Sequence, residues 1–214
     1  MSEPVTLDVL ADIACPWCLI GLRRLERALR EHPPGTFAVR HRAFELQPQM
    51  PERGVPFAEF IAQRFGSVDA AGPIFARVAA EGAKDGIAFV FDATPVAPNT
   101  RLAHRAIALA RDQGFEQEAV EALFLAYFTE GLDVTDFAVV VERLADAGLP
   151  DPPALALRLR AGEGEDSVAE DQSIAAQIGV SGVPLVIAGR RLALHGAQDP
   201  AAYSAFLQQA IAPE

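Results

Sequence analysis

Residues Val5 to Ala11 alternate in character, and shortly after them the chain reads Cys15-Pro16-Trp17-Cys18. Val5, Leu7, Val9 and Ala11 share one face, which is strand periodicity. Beyond the cysteines, Leu22, Leu25 and Leu29 repeat at helical spacing, and Arg23, Arg24, Arg27 and Arg30 are assigned to the outward face. Pro33-Pro34-Gly35 stops that helix, and Phe37 to Phe44 reads as a second strand. The opening segment is therefore β-α-β, with both cysteines at the first strand-to-helix junction.

That position has chemical consequences. A thiol attacks only as thiolate, and unpaired backbone N–H groups and the dipole at a helix N-terminus favour the anion. Pro16 is tolerated in the first turn, because its missing N–H had no helical partner there. Cys18 lies one turn along the same face, close enough to pair with Cys15 or to displace a partner from it. The expected roles are an exposed, attacking Cys15 and a shielded, resolving Cys18. Two other readings stay open on the residues alone. A CxxC pair is half of a zinc site, but His32, His41, His104 and His195 are not paired at ligand spacing. Two incidental buried cysteines are the other.

Composition narrows the class. The chain has 214 residues, a formal charge of −11 and 50% hydrophobic residues. A packed core is expected, and a mostly disordered chain is excluded. Nucleic acid is not an expected partner, since phosphate contacts need clustered Lys and Arg; Lys84 is the sole lysine. No signal-peptide pattern and no long apolar run is visible, so no membrane association and a cytoplasmic location are expected. There a permanent disulfide is disfavoured.

The middle of the chain reads as helical: Phe57 to Phe65, Ile74 to Ala83, Leu102 to Gly114, a largely apolar helix over Phe115 to Thr129, then Phe137 to Ala147 and Pro153 to Arg160. Ile87 to Phe91 is expected to be extended, and Asn99 to be an N-cap. Ser167-Val168-Ala169-Glu170 has the form of a capping box opening a helix that ends near Gly179. Gly182-Val183-Pro184 precedes an apolar strand over Leu185 to Ile187, a second strand follows over Arg190 to His195, and a last helix carries Tyr203, Phe206, Leu207 and Ile211.

Cys-Pro-Trp-Cys after the first strand and Gly-Val-Pro before a late one resemble the thioredoxin superfamily, and the helical block between them resembles its DsbA branch. Asp12-Ile13-Ala14 before the pair, Gly21 after it, Phe44-Glu45-Leu46-Gln47-Pro48, Asn99-Thr100 with Ala103-His104, and Gly196-Ala197-Gln198 are similar to the FrnE-type subgroup, often described as dithiol-disulfide isomerases. The resemblance implies an α/β thioredoxin-like fold made of residues 1–50 and 166–214, with a helical insertion over 51–165. It implies dithiol-disulfide exchange at Cys15 and Cys18, with no cofactor beyond the redox-active pair, and with thiol- or disulfide-bearing proteins or small molecules as partners. Glutathione is a candidate co-substrate. Pro184 is implied to follow a cis peptide bond beside the cysteines, leaving the main chain of Val183 to pair with an extended substrate.

Two departures qualify the resemblance. Such proteins often bury an acid six residues before the nucleophile; here that residue is Val9, and Asp12 is either its substitute or a polar loop residue. Pro16-Trp17 also lacks the histidine that stabilises the thiolate in strongly oxidising relatives, so a milder potential is expected. Trp17 is expected to flank the attacking sulfur or to pack on the inserted helices, or both. His104 either faces the cleft above Cys15 or has a surface or capping role. The competing function is that of 2-hydroxychromene-2-carboxylate isomerases and kappa-class glutathione transferases. Those usually carry serine at the Cys15 position and a Ser-Asp pair where this chain has Gln198-Asp199. A non-enzymatic redox sensor is the third reading.

Overall fold

The computed structural model describes residues 3–212. The first strand, β1 (Val5–Ala11), leads into α1 (Pro16–Leu29) and then β2 (Phe37–Ala43), parallel to β1 from Val5↔Phe37 to Ala11↔Ala43. Near the other end of the chain, α8 (Glu165–Gln177) is followed by β5 (Leu185–Ala188), β6 (Leu192–His195) and α9 (Pro200–Ile211). The four strands form one sheet in the order β2-β1-β5-β6. β5 runs antiparallel to β1, with Leu10 opposite Leu185. This register places the residues just before β5 beside those just after β1, which brings Val183-Pro184 to the cysteine turn.

The alternation in β1 sorts its side chains. Leu7, Val9 and Ala11 enter the main core with Leu25 of α1 and Tyr203 and Leu207 of α9. Leu10 points the other way and packs with Leu185 and Ala175 of α8. Burial on both faces is characteristic of a sheet covered by helices on each side. The β2 margin is closed by side chains: Asp171 Oδ2 accepts from the Ala43 amide at 3.0 Å, and Arg111 donates to the His41 carbonyl oxygen at 2.8 Å.

Between β2 and α8 the chain forms β3 (Val55–Pro56), α2 (Phe57–Phe65), α3 (Val68–Ala83), β4 (Val96–Ala97), α4 (Arg101–Arg111), α5 (Glu116–Phe128), α6 (Phe137–Asp146) and α7 (Pro152–Arg160). β3 and β4 pair with each other as a separate two-stranded ribbon. Leu123 and Phe124 make α5 the buried helix of this block. Among the described residues no helix is long and apolar enough to cross a membrane.

Four local expectations are corrected. Residues 87–90 form no strand; the Val90 amide is instead bound by the Phe128 carbonyl, and a 3₁₀ turn follows over Phe91–Ala93. Ser167 is not an N-cap, since α8 already begins at Glu165 behind a left-handed Gly164. α3 starts at Val68, capped by the Ser67 hydroxyl, and runs through Pro73. Arg24 does not face outward. It is 3% exposed and bonded to Glu81, Asp85 and the Gln198 carbonyl oxygen.

Candidate active site

Cys15 is the N-cap residue of α1, with extended backbone (φ −100°, ψ 109°) and Pro16 inside the first turn. Its amide donates to the Asp12 carbonyl at 2.9 Å, and its own carbonyl accepts from the Cys18 amide at 3.0 Å. These bonds fix a tight turn that sets both sulfurs at the helix start. The cysteines are free thiols. Cys15 is 5% exposed, so the expectation of an open nucleophile is corrected to a nearly enclosed one; Cys18 is fully buried. Burial pushes the Cys18 thiol well up, and its hydrogen bond to Cys15 and the nearby Cys15 and Asp12 charges push the same way. A thiol whose pKa is raised by burial is a poor nucleophile until a base takes its proton. Trp17 and Pro16 are half-buried, with Trp17 packed on the main core.

The opposite wall is built by the chain before β5. The Val183–Pro184 peptide bond is cis. Cys15 Sγ lies 3.8 Å from the Val183 carbonyl oxygen. Pro184 can approach this closely because α1 has a glycine where the two meet: a Cβ on Gly21 would lie 3.0 Å from Pro184 Cγ and 2.9 Å from the Tyr203 hydroxyl. Behind Pro184, its carbonyl oxygen accepts from the Gly196 amide at 2.7 Å, and the Gly196 carbonyl accepts from the Tyr203 hydroxyl at 3.3 Å.

Asp12 is buried at the floor of the turn. Oδ1 accepts from the Ala14 amide at 3.1 Å and Oδ2 from the Leu46 amide at 2.6 Å. His104 Nε2 is 3.6 Å from Asp12 Oδ1 and has no hydrogen-bond partner, although the residue is buried. Glu45 stands close by, tied to Arg101 at 2.8 Å; burial raises its pKa, while Arg101 and His104 oppose the rise and Asp12 adds to it. Asn99 sits further out. Its Oδ1 accepts from the Arg101 amide and its Nδ2 donates to the Met50 carbonyl, so its side chain secures the entry to α4 one residue before the cap, Thr100. Cys15, Cys18, Val183, Pro184, Asp12 and His104 therefore gather in one region, while the Asn99 side chain is engaged with main chain at the start of α4.

Gly21, Arg24, Glu45, Gly196 and Tyr203 complete the surroundings. A signal for Gly21 was present: it lies one turn beyond Cys18 on the same helical face. Arg24 gave none, being one arginine among four in a stripe.

The sequence matches the DSBA-like thioredoxin domain over residues 6–208. The chain belongs to this family. Among solved structures it is similar to a probable DsbA oxidoreductase from Streptomyces coelicolor, with 30% identity, 96% of this chain and 89% of that one covered, and a TM-score of 0.87. Its fold is shared by the cytosolic disulfide reductase DsbM from Pseudomonas aeruginosa, solved with GSH, at 23% identity, 95% and 98% coverage and a TM-score of 0.63. It is shared as well by 2-hydroxychromene-2-carboxylate isomerase, at 17% identity, 90% and 89% coverage and a TM-score of 0.62. No curated protein matches. The α/β thioredoxin-like fold and DsbA-family membership implied by the sequence resemblance are thus those of the protein.

Proposed function

We propose that the protein is a cytoplasmic thiol-disulfide oxidoreductase or isomerase of the FrnE-like type, with Cys15 as nucleophile and Cys18 as resolving thiol. The observation that carries this reading is the pair of free thiols at the N-terminus of α1 with the Val183 carbonyl 3.8 Å from the outer sulfur. The Cys15 thiolate attacks a substrate R–S–S–R′. That bond breaks, a Cys15–S–S–R bond forms, and R′–S⁻ leaves and takes a proton from solvent. Cys18 then gives up its proton and attacks the Cys15 sulfur, expelling R–S⁻. The substrate gains two electrons and the cysteine pair loses two, becoming a disulfide. Two small thiols, with glutathione as the proposed co-substrate, restore the pair by the reverse steps and leave as their own disulfide. The binding of GSH by the Pseudomonas disulfide reductase, and its cytosolic setting, support that choice.

Asp12 is the proposed acceptor of the Cys18 proton, with His104 beside it as the neighbouring polar group. Its charge already acts on the Cys18 thiol, and no acid stands at Val9. Val183 offers main chain to an extended substrate, and Pro16, Trp17 and Pro184 shape the walls. Asn99 supports the α4 entry. A glutathione-dependent isomerase is the competing reading, supported by the shared fold of 2-hydroxychromene-2-carboxylate isomerase. The presence of two cysteines rather than serine at position 15 favours exchange.

The test is insulin-disulfide reduction with intact-mass analysis. Cys15→Ser should lose turnover, and Cys18→Ser should accumulate protein–substrate mixed disulfide. Full turnover by Cys15→Ser would sink the reading, and glutathione-dependent turnover indifferent to both changes would favour the isomerase.

A further inference from the structure

Arg24 lies on the helix that carries both cysteines, and all three guanidinium nitrogens are engaged. Nε donates to Asp85 Oδ2 at 2.7 Å, Nη2 to Glu81 Oε1 at 2.5 Å, and Nη1 to the Gln198 carbonyl oxygen at 2.9 Å. A buried guanidinium requires opposite charge. Glu81 in the last turn of α3 and Asp85 just beyond it supply it. The third bond is different in kind. It adds no charge compensation, but it fixes the main chain of the Gly196–Asp199 turn against α1.

That turn is the support behind the substrate-facing wall. Gly196 holds the Pro184 carbonyl by its amide at 2.7 Å, and Gly196 is itself held by the Tyr203 hydroxyl that rests over Gly21. Val183, one residue before Pro184, returns to the Cys15 sulfur at 3.8 Å. The contacts close a ring. It runs from Cys15 along α1 to Arg24, across to Gln198, through Gly196 to Pro184, and from Val183 back to Cys15.

We propose that Arg24 is a positioning residue for extended peptide disulfides: it sets the height of the Val183 main chain above Cys15. This deepens the exchange reading above and rests on it. A main-chain hydrogen bond weakens steeply when its acceptor is displaced or tilted, so small errors in placing a recognition element cost affinity. A rigid helix bearing both the nucleophile and the fork that grips the opposite wall would keep that distance constant. The fork matters as well as the charge. Lysine can neutralise Glu81 and Asp85, but its single ammonium lacks the planar spread of donors that reaches three partners. Disulfides without flanking amides do not use the Val183 main chain, so their exchange is independent of the device.

The experiment compares Arg24→Lys with the unaltered protein on a short peptide disulfide and on bis(2-hydroxyethyl) disulfide. KM for the peptide should rise by about five- to tenfold, the loss of one to two main-chain hydrogen bonds, with kcat held within about twofold. Turnover of bis(2-hydroxyethyl) disulfide and alkylation of Cys15 by iodoacetamide should stay within about twofold. A folded Arg24→Lys protein with an unchanged peptide KM overturns the proposal. So does an equal loss on both disulfides, or alkylation slowed in step, because Arg24 would then act on the thiol or on the fold at large. Should Arg24→Lys not fold, Arg24→Met combined with Glu81→Gln removes one buried charge of each sign together with the grip on the Gln198 carbonyl, and the same peptide-selective rise is expected; its absence in folded protein overturns the proposal equally. Cys15→Ser is the separate control. Turnover surviving in it defeats the exchange reading itself, whatever Arg24 does.

Discussion

The Cys15 sulfur lies 3.8 Å from the carbonyl oxygen of Val183, a residue from the far end of the chain. In the free protein the Cys15 thiol is directed at that oxygen as a donor. Once Cys15 carries a substrate sulfur it has no S–H to give, and the carbonyl is released to a substrate amide. Affinity for substrate should therefore come largely from the main chain. A peptide disulfide is expected to show a KM about tenfold below that of bis(2-hydroxyethyl) disulfide, the worth of one or two hydrogen bonds. Steady-state kinetics on the two substrates check this, and equal KM values would remove main-chain recognition from the account.

Gly21 is a contact, not a source of flexibility. Alanine is the better helix former by about 1 kcal/mol. Here, however, its methyl would meet the Tyr203 hydroxyl at 2.9 Å and Pro184 at 3.0 Å. Gly21→Ala should lower stability by about 1–2 kcal/mol through overpacking, read from urea midpoints. Adding Tyr203→Phe should recover part of the loss. A stabilised Gly21→Ala protein would show that the wall gives way easily.

His41 predicts an acid-sensitive term. Burial, and then the charge of Arg111, push its pKa down from 6.5 to about 4. Between those values the unfolded chain binds the proton and the folded one does not, so stability rises with pH across that window. The contribution is complete above about pH 6.5 and is lost as pH falls towards about 4. Relative to pH 7, the cost at pH 5 is about 2 kcal/mol. His41→Leu should flatten this limb in urea titrations at the two pH values, and an unchanged slope would assign the sensitivity elsewhere.

Asp12→Asn tests the proposed proton acceptor. It removes the negative charge at the floor of the turn while keeping the side chain's size. The Cys18 attack should slow by about a hundredfold, the low end of general-base effects, and quenched-flow mass analysis would see the mixed disulfide persist. An unaltered mixed-disulfide lifetime would return Asp12 to a loop-fastening role, through its bonds to Ala14 and Leu46.

The cysteine turn was largely legible because its signals are local. The alternation over Val5–Ala11 matches β1 residue for residue, and the N-cap position of Cys15 follows from Pro16 and the leucine spacing beyond it. The wall opposite was legible only through the family resemblance, since Val183 and Pro184 are remote in the chain from the pair they face. Arg24 was misread because periodicity sorts residues by polarity, and an arginine buried by one acid of α3 and one of the turn after it looks like its solvated neighbours. Pro73 hid the first turn of α3 because proline ordinarily marks a helix start or stop. The capping-box pattern at Ser167 was overridden by Gly164, whose left-handed turn starts α8 earlier.

Lys84 is the sole lysine, it is largely exposed, and its ammonium sits 2.6 Å from Glu81, the acid that also holds Arg24. Among the side chains of this sequence, amine-directed chemistry therefore has one address, beside that buried contact. A fluorophore placed there reports on the α1–α3 junction without any introduced cysteine to compete with the native pair.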